Sequence, residues 1–174
     1  DIRLSGFTLW KGGHFAILAT GTQRLTIDGL SIDTDRDGID LDCVRDVLVE
    51  RCRVNSPNDD AIVVKSSYAL GRAIAAENIL IRDCDVSGYD MGSMLDGTRG
   101  TTQQVAPDQD RVTGRIKLGT ESNGGYRNIR IEDCRFTHCR GLALETVDGG
   151  VMEHVVARRL TLRDVTTAPL FLRL

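Results

Sequence analysis

The chain of 174 residues carries a formal net charge of −3, with 41% hydrophobic, 27% charged and 5% aromatic residues. That balance excludes a disordered segment, and no apolar run approaches the roughly 20 residues a membrane-spanning helix needs, so no membrane partner is expected. The weakly acidic charge leaves no electrostatic footprint for nucleic acid, and none is expected as a partner.

In chain order, a nine-residue phrase recurs six times, at Asp1–Leu9, Arg24–Ile32, Asp46–Val54, Asn78–Val86, Asn128–Phe136 and His154–Leu162. Its second position reads Ile2, Leu25, Val47, Ile79, Ile129 and Val155. The fourth is apolar throughout, so the two positions share one face of a strand. Start-to-start spacings of 23, 22, 32, 50 and 26 residues define a coil period of 22 to 26 with two insertions, a solenoid signature. A further strand is predicted ahead of most copies, at Asp37–Cys43, Asp60–Ser66, Gly114–Thr120, Gly141–Val147 and Pro169–Leu174. Two to three short strands per coil predict an all-β, right-handed parallel β-helix of about six coils, one domain over residues 1–174. The Ala-rich stretch Ala69–Ala76 is the single candidate for a helical turn. Because both ends fall inside strand phrases with no polar cap, the chain is expected to be the central part of a larger β-helix.

The cysteines Cys43, Cys52, Cys84, Cys134 and Cys139 are odd in number and lack a CxxC pair. Neither a disulfide framework nor a structural zinc site is expected. The repeat instead stacks Cys52, Cys84 and Cys134 in one interior ladder.

Charge gathers on one strand. With Ile39 and Leu41 pointing inward, Asp40 and Asp42 point out and Asp37 sits at the strand's mouth. One coil later, 22 residues from Asp37 to Asp59, Asn58-Asp59-Asp60 occupies the same mouth, with Lys65 further along. Carboxylates this close repel, and at least one should hold its proton unusually tightly. General acid and base chemistry needs that arrangement. Two other readings stand beside it: a calcium site built from Asp37, Asp59, Asp60 and Asn58, and aspartates that merely cap turns.

The blocks Asp35-Arg36-Asp37-Gly38-Ile39-Asp40 and Asn58-Asp59-Asp60-Ala61-Ile62-Val63-Val64-Lys65-Ser66 resemble the signature of glycoside hydrolase family 28, the polygalacturonases and rhamnogalacturonan hydrolases. The downstream run from Gly119 to Cys134 resembles that family's next coil. The resemblance implies inverting hydrolysis of glycosidic bonds in pectic polymers, with no cofactor and no metal. Asp59 then protonates the leaving oxygen, while Asp37 and Asp60 hold and activate water. Inverting carboxyl pairs usually stand roughly 6.5–9.5 Å apart.

The sequence departs from the family at two places. The Gly-His-Gly block is replaced around Thr113-Gly114-Arg115, and the Arg-Ile-Lys that grips a uronate carboxylate aligns with Ala143 and Glu145. A literal Arg115-Ile116-Lys117 occurs one coil earlier, so the expected substrate contacts are Lys65, Arg115, Lys117 and Glu145. These changes point to an exo-acting or side-chain-directed glycosidase. The insertion 87–114 is expected to wall the cleft, with Tyr89, Asp96, Arg99 and Arg111 as candidate sugar contacts. A polysaccharide or oligosaccharide is the expected partner, and that substrate class implies a secreted or periplasmic protein. The alternative is a non-catalytic β-helix module that binds glycan or only stacks.

Overall fold

The computed structural model describes residues 1–102 and 110–174; part of the predicted insertion, 103–109, lies outside the described residues. Three parallel sheets of six strands each wind around one interior, a parallel β-helix of about six coils. The first sheet runs through Ile2–Ser5, Gln23–Asp28, Arg45–Glu50, Ala76–Arg82, Tyr126–Glu132 and Met152–Arg158. The second takes Thr8–Gly12, Ser31–Thr34, Arg53–Asn55, Asp85–Ser87, Arg135–Thr137 and Thr161–Arg163. Phe15–Thr20, Asp37–Asp42, Ile62–Ser66, Ile116–Ser122, Leu142–Glu145 and Leu170–Arg173 make the third.

The nine-residue phrase therefore spans two strands, and its sixth residue turns the corner between them. Gly6, Gly29, Arg51, Asp83, Asp133 and Arg159 occupy this corner with φ between 53° and 68°. For a residue with a side chain the left-handed conformation costs roughly 1–2 kcal/mol. Stacking offsets it: the corner amides of Gly29, Arg51, Asp83 and Asp133 donate to Glu50, Arg82, Glu132 and Arg158 carbonyls of the next coil at 3.0–3.2 Å.

Inside, like residues stack in register. Leu25, Val47, Ile79 and Ile129 form one buried column; Ile27, Val49, Ile81 and Ile131 form a second. Cys52, Cys84 and Cys134 lie fully buried beside the corner, as free thiols. Each Sγ lies 3.2–3.3 Å from the carbonyl two residues before it, on Glu50, Arg82 and Glu132. Small thiols thus fill the corner and meet a carbonyl there. The stretch Ala69–Ala76 is not helical. Gly71, left-handed at φ 74°, closes a turn on the Tyr68 carbonyl at 2.8 Å, and a strand of the first sheet begins at Ala76.

One turn of helix, Ser93–Asp96, lies in the insertion between left-handed Gly92 and Gly97. It is moored by the buried carboxylate of Asp33, which accepts the amides of Gly92, Met94 and Leu95 at 2.7, 3.0 and 3.1 Å.

Candidate active site

The third sheet carries the acidic cluster. Period-two alternation sends Ile39 and Leu41 into the core and Asp40 and Asp42 outward, and the register sets Asp40 beside Val63 and Asp42 beside Lys65. Asp37 opens its strand, and the Gly38 amide donates to the Asp60 carbonyl at 3.0 Å, so Asp60 stands directly over Asp37. A Cβ at Gly38 would run into the Ala61 carbonyl and Val54, so no side chain fits at this approach.

The turn bearing Asp59 is held from both sides. Asn58 donates to Asp35 through its backbone, 3.1 Å, and through its side chain, 2.7 Å. From the following coil, the Gly114 amide donates to the Asp59 carbonyl at 2.8 Å. The Asp60 amide points at carboxylate oxygens of Asp37, 3.2 Å, and Asp59, 3.1 Å.

Asp37, Asp59 and Asp60 each place a carboxylate oxygen within 4.8 Å of the other two. This is shorter than the 6.5–9.5 Å separation expected of the pair, because coils stacked in register bring neighbouring side chains to about one strand spacing. Cations surround the cluster. Lys65 Nζ lies 3.2 Å from Asp37 and 2.7 Å from Asp40. Arg115 Nε is 2.8 Å from Asp60 and Lys117 Nζ 3.5 Å from it, and Glu145 sits 3.7 Å from both cations. Arg36 approaches Asp59 at 3.5 Å.

Burial drives the electrostatics. Desolvation, with the Asp59 carboxylate next, pushes the Asp37 carboxyl up to about 8 against the pull of Lys65. Burial likewise raises Asp40, opposed by Lys65, and Asp40 Oδ1 has no hydrogen-bond partner among the described residues. Burial works against the charge on Lys65 too, but the Asp40 and Asp37 carboxylates outweigh it and hold the ammonium above the ordinary lysine value. Asp59 is the most open of the three, with 29% of its side chain exposed against 6% for Asp37 and 5% for Asp60.

All seven predicted site residues converge. Arg115 and Lys117 lie between Asp60 and Glu145 and pair with both. The three clustered oxygens have the spacing to hold a hard cation. However, Lys65 on Asp37 and the Arg115/Lys117 pair on Asp60 already supply positive charge at those carboxylates. The insertion residues go elsewhere: Tyr89 and Arg99 border a separate groove on the second sheet. Asp96 accepts from the Thr98 amide at 2.8 Å, and Arg111 Nη1 donates to the Asp110 carbonyl at 2.6 Å. Beside Arg115, Lys117 and Glu145, a hollow of about 460 Å³ is completed by Arg140, Thr167 and the half-exposed ring of Phe171. The sequence reading missed this hollow, although the alternation in Pro169–Leu174 already turned Phe171 outward.

Residues 15–159 match the family model described as a right handed beta helix region. The chain belongs to that family. This fixes the hand of the parallel β-helix. Within the curated proteins it is similar to a probable polygalacturonase of Vitis vinifera, 23% identical over 97% of this chain and 32% of the relative. The chain thus spans about a third of that relative's length. No solved structure matches it. This likeness to a polygalacturonase agrees with the resemblance carried by the aspartate blocks, at a coarser level than family 28. No helix among the described residues is long and apolar enough to cross a membrane.

Proposed function

We propose that the protein is a glycoside hydrolase acting on a pectic or related polysaccharide by acid/base catalysis at Asp37, Asp59 and Asp60. The observation that carries this reading is the packing of three carboxylates within 4.8 Å, one of them pushed up to about 8. Such a cluster holds a proton at neutral pH that belongs to the group as a whole. In the free protein Asp37 retains it. When substrate displaces water, transfer to the open Asp59 supplies the leaving glycosidic oxygen. Asp37, now ionised, accepts a proton from the attacking water, which Asp60 helps to orient. A single displacement is supported by how the buried carboxylates are engaged. Asp60 is tied to Arg115 and Lys117, and Asp37 to Lys65 and the Asp60 amide, which blunts both as nucleophiles.

Glu145 shares the charge of Arg115 and Lys117, so the adjoining hollow suits the hydroxyls of a terminal or side-chain sugar better than a free uronate. A polymer substrate of this class implies a secreted or periplasmic location.

The experiment is release of reducing ends from a panel of pectic and neutral oligosaccharides, with the product anomer followed by proton NMR. Expected are a product with inverted anomeric configuration and, in Asp59→Asn, a loss of about 10² to 10⁴ in rate. A retained configuration would overturn the single displacement. Glycan binding without any product would establish the non-catalytic module instead.

A further inference from the structure

A second groove, of about 330 Å³, lies on the second sheet and uses none of the acidic cluster. Its floor comes from Arg53–Asn55, Asp85–Ser87 and Arg135–Thr137, three strands in register, and the insertion adds Tyr89, Met94 and Arg99. Among the described residues four arginines border it, Arg53, Arg99, Arg135 and Arg163, against one carboxylate, Asp85.

That carboxylate is already taken: Arg135 holds it with both prongs of its guanidinium, at 2.7 and 2.8 Å. Arg53 reaches the Ser31 hydroxyl at 3.1 Å. The guanidinium groups of Arg99 and Arg163 have no acidic partner among the described residues. Like charges gathered at one hollow repel, and an anion bound between them relieves the repulsion.

The walls are fixed before any ligand arrives. Asn55 accepts the Tyr89 amide at 2.8 Å and donates to the Tyr89 carbonyl at 2.9 Å. The Tyr89 ring stacks on His138 at 5.5 Å between centroids, 14° from parallel. Successive coils repeat at about 4.8 Å, near the length of one sugar unit, so arginines on different coils meet different units of one chain. Guanidinium forks match carboxylates, and an aromatic wall with a methionine suits the apolar face of a sugar ring.

We infer that this groove binds an acidic oligosaccharide, with Arg99 and Arg163 taking uronate carboxylates and Tyr89 and Met94 bordering the sugar rings. The site is independent of hydrolysis and would hold a polymer whether or not the aspartate cluster cuts it.

The probe is a size-defined oligogalacturonate, titrated calorimetrically into the full chain carrying Asp59→Asn so that turnover cannot deplete it. Its carboxyl-reduced counterpart and inorganic phosphate form the comparison arms. Replacing Arg99 and Arg163 together by alanine is expected to weaken oligogalacturonate binding at this groove about tenfold or more, the loss of at least one charge-assisted contact. The reduced oligomer should bind far more weakly, and phosphate should not displace the oligomer at equal charge. In the protein with Asp59 intact, the Arg99/Arg163 double alanine variant should turn over a short substrate at an unchanged rate, which separates this groove from the catalytic site. If the double variant loses its native circular dichroism, Arg163→Gln alone serves, with a smaller weakening in the same direction. Unchanged affinity in the folded Arg variants, equal binding of the reduced oligomer, or full displacement by phosphate would each overturn the inference.

Discussion

Lys65 lies between two buried carboxyls, Asp37 and Asp40, and its loss would leave the Asp40 carboxylate without its ion partner. Breaking a buried pair by removing one partner typically costs about 3–5 kcal/mol. Lys65→Met should therefore lower stability by about 3 kcal/mol in a denaturant titration, and adding Asp40→Asn should recover part of it. A double variant no more stable than the single would mean that Asp40 does not depend on Lys65. Asp37 has a pH signature of its own. Its folded carboxyl is raised from 3.8 to about 8, so the folded state binds the extra proton throughout that window. Stability associated with Asp37 is thus fully present below pH 4 and is lost as pH rises through about 8. Asp37→Asn should flatten the melting temperature between those limits. Catalysis requires the same proton, so the rate of the unaltered protein should fall as pH passes about 8. A rate that keeps rising there would exclude a protonated cluster. The aspartates of this site were legible because Asp37 and Asp59 sit one coil apart and flank fixed apolar positions. The pairing of Arg115 with Asp60 was not, because a contact across 55 residues is set by coil stacking and by the insertion between them.

At the scale of the element, the corner between first and second sheets shows what a repeat hides. Gly6 and Gly29 announce a left-handed residue, and Asp83 and Asp133 tolerate one, but Arg51 and Arg159 occupy the same position. Those two arginines join surface ion pairs, Arg51 with Asp28 and Glu50 at 2.6 and 2.9 Å, and Arg159 with Asp133 at 2.6 Å. A sequence reading sees glycine, arginine and aspartate at one position and misses that they share a backbone conformation, so it takes two strands as one phrase. The interior columns were readable by contrast, since apolar identity repeats at every coil. Because the corner is a backbone requirement, Asp83→Gly should leave stability unchanged or raise it by up to about 1 kcal/mol, whereas Asp83→Val should cost about 1–2 kcal/mol. Thermal unfolding of the two variants makes the comparison. Equal melting temperatures for glycine and valine would show that the left-handed corner is not a constraint in solution.

For the whole molecule, each coil touches only its neighbours, so the solenoid has few contacts that join distant coils, and the insertion is one of them. Asp33 on the second coil accepts three amides from residues 92–95, about sixty positions away in sequence, and also the Asn55 side chain at 2.9 Å. Asn55 in turn binds Tyr89 and the Ser87 hydroxyl, so one buried polar chain straps three coils together. A polar network of this kind is worth more intact than its parts suggest, and each buried amide left unpaired costs about 1–3 kcal/mol. Asp33→Ala should therefore release the insertion while leaving the three sheets wound, since the interior columns do not pass through it. Amide hydrogen exchange is the measurement. The amides of Gly92, Met94 and Leu95 should lose protection by orders of magnitude, those of the columns through Ile27, Val49 and Ile81 should keep theirs, and sugar release at the aspartate cluster should persist. The groove bordered by Tyr89, Met94 and Arg99 would lose its wall at the same time. Protection lost equally in strap and columns would instead make the insertion a structural part of the coil stack.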